Sequence, residues 1–434
     1  MAGILVALGV AAKLKAVSAA AMNKILVCTD PSILLVRTFI KRNYFVIQVY
    51  YVNRVVTVAA LLLLIAAAVY SIWLAMADAA FRKQTPEGVA RALEILPDRA
   101  SYLLLRALQL DYDGVDSTAL LERAARVNPL SSAPRIRLGL AAETQGDFPR
   151  SETWLLDAAR VDHQFEPRWT LANFYFRRER WDEFWKWMRA ALESSYGDRR
   201  LAFDLCWRVT QDADEVLRRA IPDQHDVLVT YLYYVMDQHL DAVGPVALKL
   251  AALRTAADVP QLESACDVLI DSGKVAEGRE LWKQLGHRDT ALITNGDFAT
   301  EPGGHGFDWR MAHAPGVRDI AFPGAHRILF SGKQPELCEL LRQFVVLEAG
   351  KRYSLHWDAR TRGLGMPTGV EWRAGKARGV VEGADEWRDG SLDFTAGAVL
   401  TPLTLAYQRP TGEARAEGSM EIRNVSLVEL VEKR

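Results

Sequence analysis

The chain has 434 residues and a mass of 48.5 kDa, room for about three structural units at roughly 150 residues each. Its 53 basic residues balance 54 acidic ones, which excludes a globally basic nucleic-acid binder and an acidic disordered chain. A mean hydropathy of −0.03 excludes a multi-spanning transporter, most of which would have to be apolar. The first 54 residues form a basic arm: Lys13, Lys15, Lys24, Arg37, Lys41, Arg42 and Arg54 face a single acid, Asp30. Apolar patches at Ile4–Val10, Ile33–Val36 and Tyr44–Val52 suit an interfacial helix. Residues 55–77 then run for 23 positions without a charge, between Arg54 and Asp78. At about 1.5 Å per residue, such a helix crosses a hydrocarbon core of about 30 Å. Tyr70 and Trp73 sit near its far end, where amphipathic rings favour the interface. The basic flank predicts a cytoplasmic amino terminus, with the rest of the chain on the other side of the membrane. The run is too long and too far from the start for a cleaved signal peptide, so a signal anchor is expected.

From about residue 85 to 285 the texture is helical, with sparse glycine and apolar residues recurring at three and four. The segment repeats itself. Pro134-Arg135 returns as Pro167-Arg168, Leu138-Gly139 as Leu171-Ala172, Asp147-Phe148 as Arg180-Trp181, and Ala158 as Ala191. Ala124-Ala125-Arg126-Val127-Asn128 anticipates Ala158-Ala159-Arg160-Val161-Asp162. Spacing and residue types resemble the tetratricopeptide repeat. The resemblance puts the family's small helix-crossing residue on Gly139 and Ala172. It puts the aromatic early in the second helix on Phe148 and Trp181, and the late small residue on Ala158 and Ala191. Degenerate copies flank these at 102–129, 201–221, 227–253 and 262–285. Trp169, Trp181, Trp185 and Trp187 are the candidate partner-binding cluster, weighed against a plain repeat core.

At Gly286 glycine becomes frequent and short alternating runs take over. Strands are expected at 327–331, 338–347, 352–361, 369–373, 386–394, 400–408 and 419–430, an antiparallel β-sandwich over residues 290–430. Four segments resemble the galactose-binding-like jelly roll of carbohydrate-binding modules. They are Asn295-Gly296-Asp297-Phe298, Gly306-Phe307-Asp308-Trp309, Gly350-Lys351-Arg352-Tyr353-Ser354-Leu355 and Glu421-Ile422-Arg423-Asn424-Val425-Ser426-Leu427. Where such modules carry calcium-holding acids on the last strand, this chain has Arg423-Asn424, so no bound ion is expected. Alternation turns Tyr353, Leu355, Trp357 and Ala359 inward and Ser354, His356, Asp358 and Arg360 outward. If the polar faces meet on one sheet, His356, Asp358, Arg360, Glu371, Arg373, Gln408 and Arg423 form a candidate ligand surface. The competing reading is a solvated face with internal ion pairs.

The fold class that emerges is multidomain α plus β: one transmembrane helix, an α-solenoid of tetratricopeptide-like helix pairs and a carboxyl-terminal antiparallel jelly roll. No catalytic motif appears, and no cofactor is implied. His305, His313 and His326 share a loop-rich stretch with Asp308 and Asp319, but without a metal-ligand spacing. Cys28, Cys206, Cys266 and Cys338 show no paired spacing; a Cys206–Cys266 bridge is a minor alternative. The expected function is a non-enzymatic scaffold in the inner membrane of a bacterium, its bulk periplasmic or extracellular. The repeats would bind a protein partner and the jelly roll a glycan, near cell-surface polysaccharide assembly or export. Nucleic acid is not an expected partner. Two alternatives stand beside this: a jelly roll that is only a protein-docking cap, and an envelope polysaccharide hydrolase or lyase.

Overall fold

The computed structural model describes residues 31–287 and 292–430. The basic arm up to Asp30, with Cys28, lies outside the described residues. The chain divides into two compact units on either side of the Asn128–Pro129 bond.

The first unit is helical. Helix α1 (Pro31–Phe81) is 51 residues long and runs without a break through the apolar stretch. It is the one described helix long and apolar enough to cross a membrane. Except for the half-buried Leu74, its large apolar residues from Val55 to Met76 are more than half exposed, which is the state of a helix with no protein packed round it. The surroundings change abruptly at Ala77, which is fully buried. Helices α2 (Pro86–Ile95), α3 (Ala100–Tyr112) and α4 (Thr118–Val127) follow. The Thr85 hydroxyl accepts from the Gly88 N–H at 3.1 Å, and Pro86 stands in the first turn of α2, where its missing N–H costs nothing. Ala77 and Ala80 of α1, Ala92 of α2 and Tyr102 of α3 make a small core. The Tyr102 ring stacks on Phe81 at 4.4 Å, and its hydroxyl donates to Asp78.

The second unit begins with five helix pairs. They are α5 (Ala133–Thr144) with α6 (Phe148–Val161), α7 (Phe165–Arg177) with α8 (Trp181–Glu193), and α9 (Arg200–Val209) with α10 (Ala213–Arg219). Then come α11 (His225–Gln238) with α12 (Val243–Leu253), and α13 (Val259–Asp271) with α14 (Val275–Gln284). The repeat positions read from the sequence do what close helix crossing requires. A Cβ on Gly139 would lie 2.6 Å from the Leu155 side chain, so α5 and α6 touch only because glycine stands there. Ala172, Ala158 and Ala191 are fully buried. Phe148 and Trp181 each open a second helix, and each keeps more than a third of its surface exposed. Cys206 and Cys266 are buried free thiols on α9 and α13, so the minor disulfide alternative does not form.

The sandwich follows in the same unit. Its strands are β1 (Arg310–Met311), β2 (Val317–Phe322), β3 (Ala325–Ser331), β4 (Leu337–Val346) and β5 (Arg352–Arg362). They continue with β6 (Val370–Ala374), β7 (Ala377–Val380), β8 (Arg388–Thr395), β9 (Leu400–Gln408) and β10 (Glu417–Glu429). One sheet has the order β1-β4-β9-β6-β7 and the other β2-β3-β10-β5-β8, with every pairing antiparallel. We call them the first and the second sheet. The core between them holds Trp309, Trp357, Trp372 and Tyr407, all essentially buried. Trp357 lies so flat on the backbone that a Cβ on Gly390 would come within 2.5 Å of its ring. Alternation assigned the inward residues of β5 as observed: Tyr353, Leu355, Trp357 and Ala359 are buried, but Ser354, expected outward in the open, is buried too, its hydroxyl donating to Asp393 of the neighbouring β8 at 2.5 Å. Three strands did not stand out in the sequence. Strand β1 has two residues, and β2 and β7 are short edge strands where one flank needs no apolar partner.

Candidate ligand and partner surfaces

The sandwich is seated on the last helices of the array by the outer side of the first sheet. Phe344, Val346 and Leu400, on β4 and β9, pack against the helical core, which Phe307 enters as a buried member. Gly306 (φ +55) lies so close to Trp282 that a Cβ would sit 2.4 Å from the ring. Asp267 of α13 locks this seam. Its carboxylate meets His305 Nδ1 at 2.7 Å, accepts from the Gly306 N–H at 2.7 Å and accepts from Arg310 Nη2 at 2.6 Å. The Arg310 guanidinium also covers the Phe344 ring, 4.8 Å from its centre. Nearby, burial raises the pKa of Asp308 even though the Gly303 and Trp309 N–H groups donate to it.

The outer face of the second sheet carries a different construction. Glu421 of β10 is buried with its carboxylate facing outward between two arginines. Arg327 of β3 donates through Nε to Oε1 at 2.8 Å, and Arg360 of β5 through Nε to Oε2 at 2.7 Å. Burial works to raise the Glu421 pKa, but the bonds from Arg360 and Arg327 outweigh it and hold the group below the ordinary range. Arg360 then lies 4.7 Å from the Trp387 ring centre, and Arg423 of β10 lies 4.1 Å from it. Arg423 and Asn424 both donate to Asp358 Oδ2, at 3.3 and 2.8 Å. His356 stands exposed beyond Asp358 on β5. The result is a half-exposed cluster of guanidinium, indole and carboxamide groups, with Asp358 and Glu421 already engaged.

The seven candidate ligand residues are therefore not on one surface. His356, Asp358, Arg360 and Arg423 share the second sheet. Glu371, Arg373 and Gln408 stand on β6 and β9 of the first sheet, where Arg373 bridges the other two at 2.7 and 2.9 Å. The expectation of one converging sheet is corrected by topology: β6 pairs with β9 and β7, because the chain crosses the sandwich after β5. Arg327, Trp387 and Glu421 join this outer face without having been among the candidate residues. Glu421 was visible only as part of the closing motif, and only its register opposite Arg327 and Arg360 gives it a role.

Three of the four tryptophans, Trp169, Trp185 and Trp187, belong in or against the helical core, whereas Trp181 is more than a third exposed. Trp185 is core, with Phe184 edge-on at 4.9 Å. Trp181 meets Phe176 and Phe184 at the start of α8. Trp169 stacks on Phe165 of its own helix at 5.7 Å, and Trp187 lies under Lys186. Positions 181 and 185 are one helical turn apart and share a face, whereas 187 points elsewhere. A groove that the sequence did not mark lies between α9 and α11, lined by Arg200, Phe203, Thr230, Tyr233 and Asp237. Tyr233 there is 60% exposed. Arg199 beneath it is tied to Asp226 and to Ser195.

The histidines of the loop-rich stretch do not converge. His305 is bound to Asp267, whereas His326 is fully buried inside the sandwich, 3.1 Å from Asp319. Among the described residues, no three His, Cys, Asp or Glu side chains gather about a metal-sized site.

No protein-family model matches this chain, and no curated protein matches it. Solved structures resemble parts of it. A CBM4 structure is 14% identical, covers 32% of this chain and 99% of its own, and has a TM-score of 0.26. PilF of Pseudomonas aeruginosa is 15% identical over 43% of this chain and 75% of its own, with a TM-score of 0.26. YrrB, described as a TPR protein with an unusual peptide-binding site, is 10% identical over 46% of this chain and 92% of its own, with a TM-score of 0.21. These are partial likenesses; the helix pairs and the strand order themselves define the fold.

Proposed function

We propose that this protein is a non-enzymatic scaffold held in a bacterial inner membrane by residues 55–77. Its amino terminus is cytoplasmic and its bulk lies outside the cytoplasm. The helical array takes a protein partner, and the sandwich takes a glycan on the outer face of its second sheet, in the assembly or export of cell-surface polysaccharide. The observation that carries the reading is the asymmetry of the sandwich: one outer face is spent on the array, and the other presents Arg360, Trp387 and Arg423 as a polar cluster. Sugars are recognised by such clusters, with an aromatic ring for their C–H faces and forked donors for their hydroxyls. The seam at Asp267 and Phe307 favours a second role for the same domain, as the cap that closes the helical array.

The test is a glycan array probed with the full chain in detergent. Binding that disappears in Trp387→Ala and Arg360→Ala, and persists in Arg373→Ala on the first sheet, supports the second-sheet site. No binding to any polysaccharide leaves the capping role alone. Turnover of a bound glycan would overturn the non-enzymatic reading.

A further inference from the structure

We infer that the α2–α3 turn, residues Leu93–Arg99, is a second membrane contact, immersed in the headgroup layer of the bilayer that α1 crosses. This inference rests on the proposal that residues 55–77 span a membrane.

The argument is one of level along a single helix. No linker separates the apolar run from the array: exposed Met76 is followed at once by buried Ala77. Helix α2 returns antiparallel along α1 after the turn at 82–85. Its Gly88 is pressed on α1 so that a Cβ would lie 2.6 Å from the Ala80 carbonyl oxygen. Ala92 of α2 and Ala77 of α1 share the same small core. From Gly88 the chain continues helically to Leu96, whose N–H still bonds the Ala92 carbonyl. Eight residues at about 1.5 Å each carry it about 12 Å back along α1. That brings Leu96 level with Ile72, between Tyr70 and Trp73, the two rings that mark the interface on the span.

The chemistry of the turn suits that depth. Leu93, Ile95 and Leu96 pack on the Ala77–Ala92–Tyr102 core with only part of their surface, leaving an apolar edge beside the exposed flank of α1. Arg91 and Arg99 are exposed on either side of it, placed for lipid phosphates. Of the two acids here, Asp98 is already bonded to Arg123 at 2.7 Å, and Glu94 is exposed. The occupant is thus the lipid interface itself, continuous with the apolar surface of α1. Its consequence is that the first helices of the array have a fixed orientation to the membrane instead of hanging from a tether.

The test places a fluorophore on one introduced cysteine at a time in the full chain, with Cys28 and Cys338 replaced by serine and the buried Cys206 and Cys266 kept. The protein is held in vesicles of phosphatidylethanolamine and phosphatidylglycerol. Leu64→Cys reports the span, Leu96→Cys the turn, and Lys83→Cys the far end of the hairpin. The expected result is loss of Leu96→Cys emission to lipid brominated near the acyl carbonyl. Leu64→Cys should be quenched by lipid brominated near the chain end, and Lys83→Cys by aqueous iodide alone. If Leu64→Cys is lipid-quenched but Leu96→Cys responds only to iodide, the turn is in water and the inference is overturned while the span stands. If Leu64→Cys itself escapes lipid quenching, the span fails and the inference with it.

Discussion

Arg373 on β6 and Arg360 on β5 both point outward from the sandwich, and each is bonded to a glutamate, yet the two faces they stand on have different surroundings. The first sheet continues from Glu371 and Arg373 toward Phe344, Val346 and Leu400, which are covered by helices. The second sheet continues toward Trp387, Arg423 and His356, which are not packed against the array. A polar outward position therefore says little by itself about role. What separates the faces is the apolar residues interspersed among the polar ones, and whether a neighbouring element meets them. Phe344 and Val346 look like ordinary half-exposed strand residues until α14 is placed over them.

The largest difference between the faces is expected at the seam. Phe307→Ala removes a buried ring from the helical core and should cost about 3–5 kcal/mol. It should also split a single thermal transition of the full chain into two, which calorimetry would reveal. A single unshifted transition would mean that the sandwich does not lean on the array. Asp267→Ala removes an acceptor shared by three groups of the sandwich loop and should cost on the order of 2 kcal/mol in urea unfolding. On the open face, Glu421→Gln leaves two arginines without their anion and should cost about 1–2 kcal/mol.

Glu421 also predicts a pH dependence. Its folded pKa is depressed, so its stabilisation is fully present above the ordinary glutamate value of about 4.3 and is lost as pH falls from there through the folded value. Unfolding followed between neutral and acid pH should show this component in the wild-type chain and not in Glu421→Gln. The smallest stability effect belongs to Trp387→Ala. Its two cation–π contacts are to partly exposed arginines and together should be worth less than about 1 kcal/mol, yet glycan binding should vanish. A large loss of stability in this variant would make Trp387 a structural residue instead.

Much of this organisation was legible in the sequence, because each part has its own period. The uncharged run at 55–77, the repeated Gly139/Ala172 and Ala158/Ala191 positions, and the alternation along β5 are local signals, and the fold follows them. The four tryptophans show the limit. Trp185 and Trp187 are two residues apart, but one is fully inside the core and the other only half-buried at its edge beneath a lysine, because a helix turns about 200° over that interval.

The sequence by itself determined the kinds of element, their order and the inward residues of the strands, since these depend on chain-local sterics and apolar spacing. It also determined which small residues let helices cross. Only the tertiary structure decided which sheet each strand joins, and so divided seven polar residues into four and three. It alone brought Asp267 to a loop 38 residues away and set Glu421 between Arg327 and Arg360. Those partners are distant in sequence. Their meeting depends on strand register and on helix-to-sheet packing, which no local pattern encodes.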